Sequence, residues 1–374
     1  MVVSEPIWLK KYRERNSSIF NEKPIKKSKY FRVVDVDNLL IVKDDKYNVI
    51  YDDLKRFKIE VMSWEKALIK IPGRIKEILE NELPSKNQYE SFINANFNSG
   101  NIIIISKNSN IEGLKKIHVK NTKNVIIKNI IIIEKGIKNV KILESIEGDV
   151  KFFNETLFLD DDSESTFVKL YLLKDFGICN NQNIINKDSK LVLCNAYFNG
   201  NKVFSKVVNN LQKPGSSIEE FDLSLLNDKQ FLNIDLMHLH NSPNANSHSI
   251  FKSILKENSK NVFNGMIKIM PHAQKSNALL QAHSLLLSKS ASSINIPSLE
   301  IEADDVKATH SATVFNIDED KLFYLENRGL SEEESKDMII RGFLEDMVDK
   351  LPSLYNQYLV NLLDSKISEK QKVL

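Results

Sequence analysis

The sequence predicts a mainly β protein built around a parallel β-helix, and three observations lead there. From about residue 100 the chain becomes a series of short Ile/Val-rich stretches punctuated by Asn, Gly and Lys, as in NIIIISKNSNIEGLKKIHVKNTKNVIIKNIIIIEKG. No part of this run carries the apolar period of a long amphipathic helix, so it reads as strands. Runs such as Ile130 to Ile133 are apolar at consecutive positions, which suits strands covered on both faces better than half-exposed hairpins. So many short strands admit a sandwich, a barrel or a solenoid. The absence of a strict short repeat leaves a solenoid with irregular coils, and a β-helix is preferred over a sandwich.

Element by element, residues 1–97 read as a mixed, largely helical domain. Ser63 is placed to cap the helix of SWEKALIKI, and Pro72-Gly73 interrupts that run. GRIKEILENELP resumes a helical period and stops at Pro84, while Tyr89, Phe92, Ile93 and Phe97 share one apolar face of the next helix. Residues 98–318 form the β core, with further strands at LVLCNAYFNG, QFLNIDLMHLHNS, GMIKIMP and SLEIEADD. Residues 319–374 turn helical again. Ser331 and Glu334 make a capping box, and the acidic first turn of LSEEES suits the helix dipole. Met338, Ile339, Phe343, Met347 and Leu351 are read as an apolar stripe that ends at Pro352, and SLYNQYLVNLLDSKI supplies a second helix. Such paired helices either cap the β core or offer a docking face, and the pattern alone leaves both open.

With 374 residues, 42% hydrophobic and 27% charged, the chain is long enough for two or three domains with a sizeable core. Its formal net charge of +2 gives no bulk electrostatic reason to bind nucleic acid. The basic runs KKYRER and NEKPIKKSKY read as solvated faces. Cys179 and Cys194 form no CxxC pair, which fits a reducing compartment and two small buried apolar side chains. Two thiols are also too few for a self-contained cluster or zinc site, which takes about four ligands. The start MVVSEPIWLKKYRER lacks the apolar core of a signal peptide, and no apolar run is long enough to span a bilayer. The expectation is a cytoplasmic chain with no membrane partner. Glycine-rich phosphate loops are absent from a sequence with only 11 glycines.

Histidines are the residues that point to chemistry. In VKATHSATV, strand alternation puts Val306, Ala308, His310, Ala312 and Val314 on one face. Desolvation among small apolar neighbours would favour a neutral imidazole able to bind metal, with a core histidine bonded to backbone as the plainer reading. In LNIDLMHLHNS, His238 and His240 project from the same face as Leu232, Ile234 and Leu236. An H-x-H pair is a weak metal candidate needing a third ligand, for which His248 or Asp235 would have to serve. On that basis the alternative function is a metal-dependent β-helix or cupin-like enzyme using His238, His240 and His248. His272 and His283 stand alone. Asp304 and Asp305 point to opposite faces if extended, and read as a turn rather than an acid–base pair.

The stretch VFNGMIKIMPHAQKSNALLQAHSLLLSKSASSINIPSLEIEADDVKATHSATVFNIDEDKLFYLENRGLSEEESKDMIIRGF closely resembles the C-terminal core of the SufB/SufD family, scaffold subunits of the SUF iron–sulfur cluster assembly machinery. ADDVK, HSAT, LFYL, RGLS and MIIRGF carry the resemblance together, with a weaker echo at FINANFNSGNIIIISKN; the segment before residue 85 departs most. The resemblance implies a right-handed parallel β-helix core flanked by an N-terminal mixed or helical segment and a C-terminal α-helical segment. It also implies pairing with a SufB-like protein through the β-helix, and docking of a SufC-like ATPase on the C-terminal helices through Met338, Ile339, Phe343 and Met347. A homodimer is implied when the chain is alone. Gln281-Ala282-His283-Ser284 lacks the cysteine of SufB-like chains, and Ser311 replaces the glutamate of their HEAT segment. His310 matches the histidine of the SufD-like SHGAT segment, although Ser311 replaces its glycine and Ala308 stands where a cysteine is common. The expectation is therefore a SufD-like, non-enzymatic assembly subunit of a SufBCD complex. Its His310 would lend a ligand to a transient iron–sulfur cluster at the SufB interface, and no cofactor would bind tightly to the isolated chain.

Overall fold

The computed structural model describes residues 5–22, 48–50, 52–84, 88–120 and 125–368. The chain opens with α1 (Ile7–Glu22), β1 (Asn48–Ile50), α2 (Asp52–Arg56), β2 (Glu60–Ser63), α3 (Trp64–Lys70), α4 (Pro72–Asn81) and α5 (Gln88–Asn96). The solenoid begins with β3 (Asn101–Ile105), β4 (Leu114–Lys120), β5 (Ile126–Ile133), β6 (Val140–Gly148), β7 (Phe152–Leu159) and β8 (Glu164–Leu173). It continues through β9 (Phe176–Ile185), β10 (Lys190–Asn199), β11 (Lys202–Leu211), β12 (Ser217–Leu226) and β13 (Phe231–His240). Its last strands are β14 (Asn246–Leu255), β15 (Lys260–Ile269), β16 (Asn277–Leu286), β17 (Ser292–Ile301) and β18 (Lys307–Asn316). Three helices close the chain: α6 (Glu319–Glu326), α7 (Glu332–Val348) and α8 (Ser353–Ser368).

The strands alternate between two nine-stranded sheets. One runs β1-β4-β6 and onward through the even numbers to β18, the other runs β2-β3-β5 and onward through the odd numbers to β17. From β3 and β4 on, every pairing is parallel; β1 and β2 join the sheets antiparallel. Consecutive strands thus lie in opposite sheets, and each pair of strands is one coil of a parallel β-solenoid. Register partners are Glu164 and Lys190 early on but Lys260 and Ser292 later, so the coils lengthen along the chain. That drift is why no fixed period shows in the sequence.

What does repeat is a turn conformation. Gly136, Asp162, Asp188, Gly215, Asn244 and Lys275 all have φ between 53° and 75°, the left-handed region. The N–H of each donates to a carbonyl one coil further on, from Gly136 to Asp161 through Lys275 to Asp305. The Asn, Asp and Gly punctuation is this stacked corner, because those residues tolerate positive φ at least cost. At Gly215 the positive φ of 75° is what favours glycine.

Three apolar layers hold the molecule. Inward-facing side chains of both sheets, such as Ile103, Ile131, Phe153, Phe167, Leu193, Ile234, Phe263 and Leu280, fill the space between them. The N-terminal helices cover the outer face of the early odd-numbered strands, where Tyr89, Phe92, Ile93 and Phe97 are buried as their spacing predicts. Helices α7 and α8 cover the outer face of the even-numbered sheet against Val168, Cys194, Phe221 and Ile250. This double cover makes the strands apolar at consecutive positions.

Helix caps and breaks agree with the sequence. The Ser63 side chain accepts from the Lys66 amide, and Ser331 and Glu334 form the capping box. The expected break falls between α3 and α4, and Pro72 itself occupies the first turn of α4, where its missing N–H costs nothing. The basic run NEKPIKKSKY lies, beyond its first two residues, outside the described residues.

Candidate functional site

The inward face of the even-numbered sheet can be followed as columns of register partners. One column reads Lys115, Ile142, Phe167, Leu193, Glu220, Ser249, Leu280 and finally His310. His310 therefore points along the wall of the solenoid, as alternation predicts. It is nevertheless exposed, because β18 is the last strand of its sheet and no further coil covers it. The expected desolvation among small apolar neighbours is a property of a covered wall, and this end is uncovered; that expectation is corrected for the lone chain.

The open end is apolar as well as bare. Ile296 and Ile301 on β17 and Val314 and Phe315 on β18 are 40–44% exposed. Each of these two strands ends its sheet, so one side of each backbone lacks a strand partner among the described residues. Helix α6 does not cover the gap: it buries none of its residues, and Phe323 is 66% exposed. Long, bare, apolar edge strands are templates for pairing with another chain.

Deeper in the solenoid lies a polar seam that the sequence reading missed. Lys169 is fully buried with its Nζ against Glu155, 3.7 Å from Glu144 and 3.1 Å from the Asn181 side-chain oxygen. Burial alone would lower the Lys169 pKa, but the two carboxyls hold it above its ordinary value. Burial, then the charge of Glu155, pushes Glu144 well above the carboxylate range. One coil on, Asn195, the register partner of Lys169, donates to Glu220 at 3.2 Å and to Asp222 at 2.8 Å on the coil after it. Burial raises Glu220 strongly and Asp222 to about 7. The seam continues through Asn209, which donates to Glu220 at 2.6 Å and to His238 Nδ1 at 3.3 Å. The missed signal was charge at inward alternation positions, as in IEEFDLSLL, where Glu220 and Asp222 face inward while Phe221, Leu223 and Leu225 face out.

His238 and His240 lie on the inward face together, fully buried. Their Nε2 atoms meet Ser249 Oγ at 2.5 Å and Ser247 Oγ at 2.8 Å on the facing sheet. Burial lowers their pKa values to about 3 and about 4, so both rings are neutral. The two proposed third ligands are on the other face: His248 lies between inward Ser247 and Ser249, and outward Asp235 accepts from Asn264 at 2.8 Å. No group of three His, Cys, Asp or Glu side chains among the described residues is arranged to hold a metal ion. The H-x-H site is thus corrected to a pair of core histidines bonded to serine.

The seam stops short of His310. Leu280 and Ile267 close the interior between Ser249 and the open end, so the mouth offers one imidazole and no thiol. An iron–sulfur cluster takes about four protein ligands, so a cluster at this mouth would need the others from a second chain. Both cysteines are buried as expected. Burial pushes the Cys179 thiol up to about 12 and raises the Cys194 thiol well above its ordinary value, which makes neither a ready nucleophile or ligand.

The C-terminal stripe is corrected by about one residue. The buried side of α7 is Ile340, Leu344, Met347 and Val348, so Met347, at 1% exposure, packs on the even-numbered sheet and cannot face a partner. Ile339 and Phe343 flank that core half-buried, and Met338 is 51% exposed. Asp304 and Asp305 sit in the turn between β17 and β18, where the Asp305 N–H donates to the Gln274 side chain.

Comparison with known proteins bears on all of this. Residues 117–343 match the family model described as SUF system FeS cluster assembly, SufBD core domain. The iron-sulfur cluster assembly protein SufD of Escherichia coli is 38% identical over 112 residues, 30% of this chain and 26% of that protein. A SufBD family protein of Synechocystis is 32% identical over 153 residues, 41% of this chain and 32% of the relative. One from Staphylococcus saprophyticus is 35% identical over 117 residues, 31% of this chain and 25% of the relative. The matched stretch thus spans between a quarter and a third of these relatives. No described helix is long and apolar enough to cross a membrane.

Proposed function

Because this chain belongs to the SufB/SufD core family of the SUF iron–sulfur cluster assembly system, we propose that it is a SufD-like subunit of an assembly scaffold. In this reading it is a non-enzymatic member of a SufBCD-type complex. The observation that carries the reading is the uncovered last coil. Helices cover the outer face of the even-numbered sheet and the early part of the odd-numbered one, yet two parallel edge strands and four large apolar side chains stay open at one end. A second solenoid placed edge to edge would satisfy those backbone groups and cover the apolar surface.

His310 stands at the same edge. Covered by a partner, its ring would be desolvated and neutral, and would offer one nitrogen beside ligands from the other chain. The cluster is cargo here, built at the seam and passed on. A thiol is missing at the matching position of this chain, Ala282, which is buried inside the solenoid. The SufB-like partner would therefore bring the thiolate.

A SufC-like ATPase would dock on the helical end through residues that remain exposed: Met338 on α7, with Phe323 and Tyr324 on α6. Hydrolysis of ATP belongs to that partner in this reading. Anaerobic cluster reconstitution on the co-expressed complex tests the assignment. The complex should co-elute on size exclusion with wild-type chain and with His310→Ala alike, while His310→Ala lowers cluster yield several-fold. Unchanged yield would reduce His310 to an edge residue, and failure of the wild-type chain to co-elute would overturn the subunit assignment.

A further inference from the structure

We propose that the outer face of the odd-numbered sheet, just beyond Phe204, is a binding site for a nucleoside phosphate, a ligand that joins a planar ring to a short run of anionic oxygens. The N-terminal helices cover this face as far as Phe204, whose ring stacks on Tyr89 at 6.4 Å. Past that point lies a groove of about 760 Å³ that includes Lys202, Lys229, Lys260, Phe231 and Ser292. Its size falls in the usual range for small-molecule sites, about 300–1,000 Å³.

Charge and shape agree on the ligand. Lys202, Phe231 and Lys260 are register partners on neighbouring strands β11, β13 and β15, so all three project outward in a row. With strands about 4.8 Å apart, two lysines flank one aromatic ring at about 10 Å from each other. Lys229, in the turn before β13, adds a third ammonium group. All three lysines are exposed, none forms an ion pair with a described residue, and no carboxylate lines the groove. The cavity at the start of α7 is the contrast: there Lys256 and Lys336 share the lining with Glu257, Glu332 and Glu333, and the charges offset one another. Three ammonium groups lining one groove with no carboxylate among them favour an anion there.

A bare anion would use only the lysines. The Phe231 ring is half-buried between them, with Phe204 at 5.7 Å between centroids, and offers a platform for a planar ring of the ligand. Ser292, the partner of Lys260 on the next strand, adds a hydroxyl at the rim. The site lies on a face rather than on the edge used for pairing, so it stands or falls independently of the subunit assignment.

Calorimetric titration of the full lone chain at low salt, with ADP, pyrophosphate and adenosine separately, tests the proposal. Saturable ADP binding is expected, with pyrophosphate and adenosine each weaker by about 10-fold or more. The double variant Lys202→Ala, Lys260→Ala should lose about 10–100-fold in ADP affinity, in line with charge-assisted hydrogen bonds. Phe231→Leu should weaken ADP and leave pyrophosphate unchanged. Absence of saturable ADP binding would overturn the site, as would pyrophosphate binding as tightly as ADP or a double lysine variant that binds like wild type.

Discussion

Leu280 and His310 are register partners on adjacent coils of one inward column, yet Leu280 is fully buried and His310 is exposed. A single coil separates the covered wall from the open end. The two positions should respond very unequally to truncation. Leu280→Ala is expected to cost about 2–5 kcal/mol in urea unfolding, the range for a core leucine. His310→Ala should stay within about 0.5 kcal/mol, as for an exposed position. Equal costs would mean that His310 is already packed in the lone chain.

The buried ammonium of Lys169 should matter more than a surface ion pair of the same kind. Lys169→Met leaves Glu144 and Glu155 in the interior without a cation, at a cost of about 3–5 kcal/mol. Adding Glu144→Gln and Glu155→Gln to that variant should recover most of the loss, because no charge is then stranded. Denaturant midpoints for the single and triple variants decide it, and a triple variant no better than the single would refute the pairing.

Asp222 should leave a signature in the pH dependence of stability. Its folded pKa, about 7, lies above the ordinary carboxylate value, so between about pH 4 and 7 the folded chain holds a proton that the unfolded chain has released. Stability from this group is therefore lost as pH rises through that window, by up to about 1.4 kcal/mol per pH unit. His238 and His240 act in the opposite sense, since their lowered values favour folding as pH rises toward about 6.5. The test is thus a difference: Asp222→Asn minus wild type should grow more favourable from pH 4.5 to 7. A flat difference would show that Asp222 is ionised in the fold.

Neither cysteine should react in the folded state. Cys179 faces the interior and Cys194 lies under α7 and α8, both with raised thiol pKa values. A thiol-specific chromogenic disulfide should label neither until denaturant is added. Fast labelling of either in native buffer would contradict the packing.

Much of the fold was legible in the sequence, for physical reasons that particular residues show. Ile130 to Ile133 are apolar in succession because one sheet face meets the interior and the other meets the N-terminal helices. Ser331 and Glu334 announced a helix start because a capping box needs only local chemistry. The face of His310 followed from alternation, but its exposure did not, since that depends on β18 being the last strand of its sheet. Met347 was assigned to the wrong side of α7 because a stripe spaced three and four apart leaves the buried centre uncertain by a residue. The seam of Glu144, Lys169, Glu220 and Asp222 stayed hidden because its members are far apart in sequence and meet only once the coils stack. Family resemblance, not periodicity, supplied the expectations about handedness and partners.

The pairing edge is best tested by charging it. Ile296→Lys with Val314→Lys places two ammonium groups on the exposed ends of the last coil, and the lone chain should keep its β-rich circular dichroism and unfolding midpoint. Co-expressed with a SufB-like partner and run on size exclusion, wild-type chain should co-elute as a complex and the double variant should elute alone. Co-elution of the charged variant at wild-type yield would contradict the account.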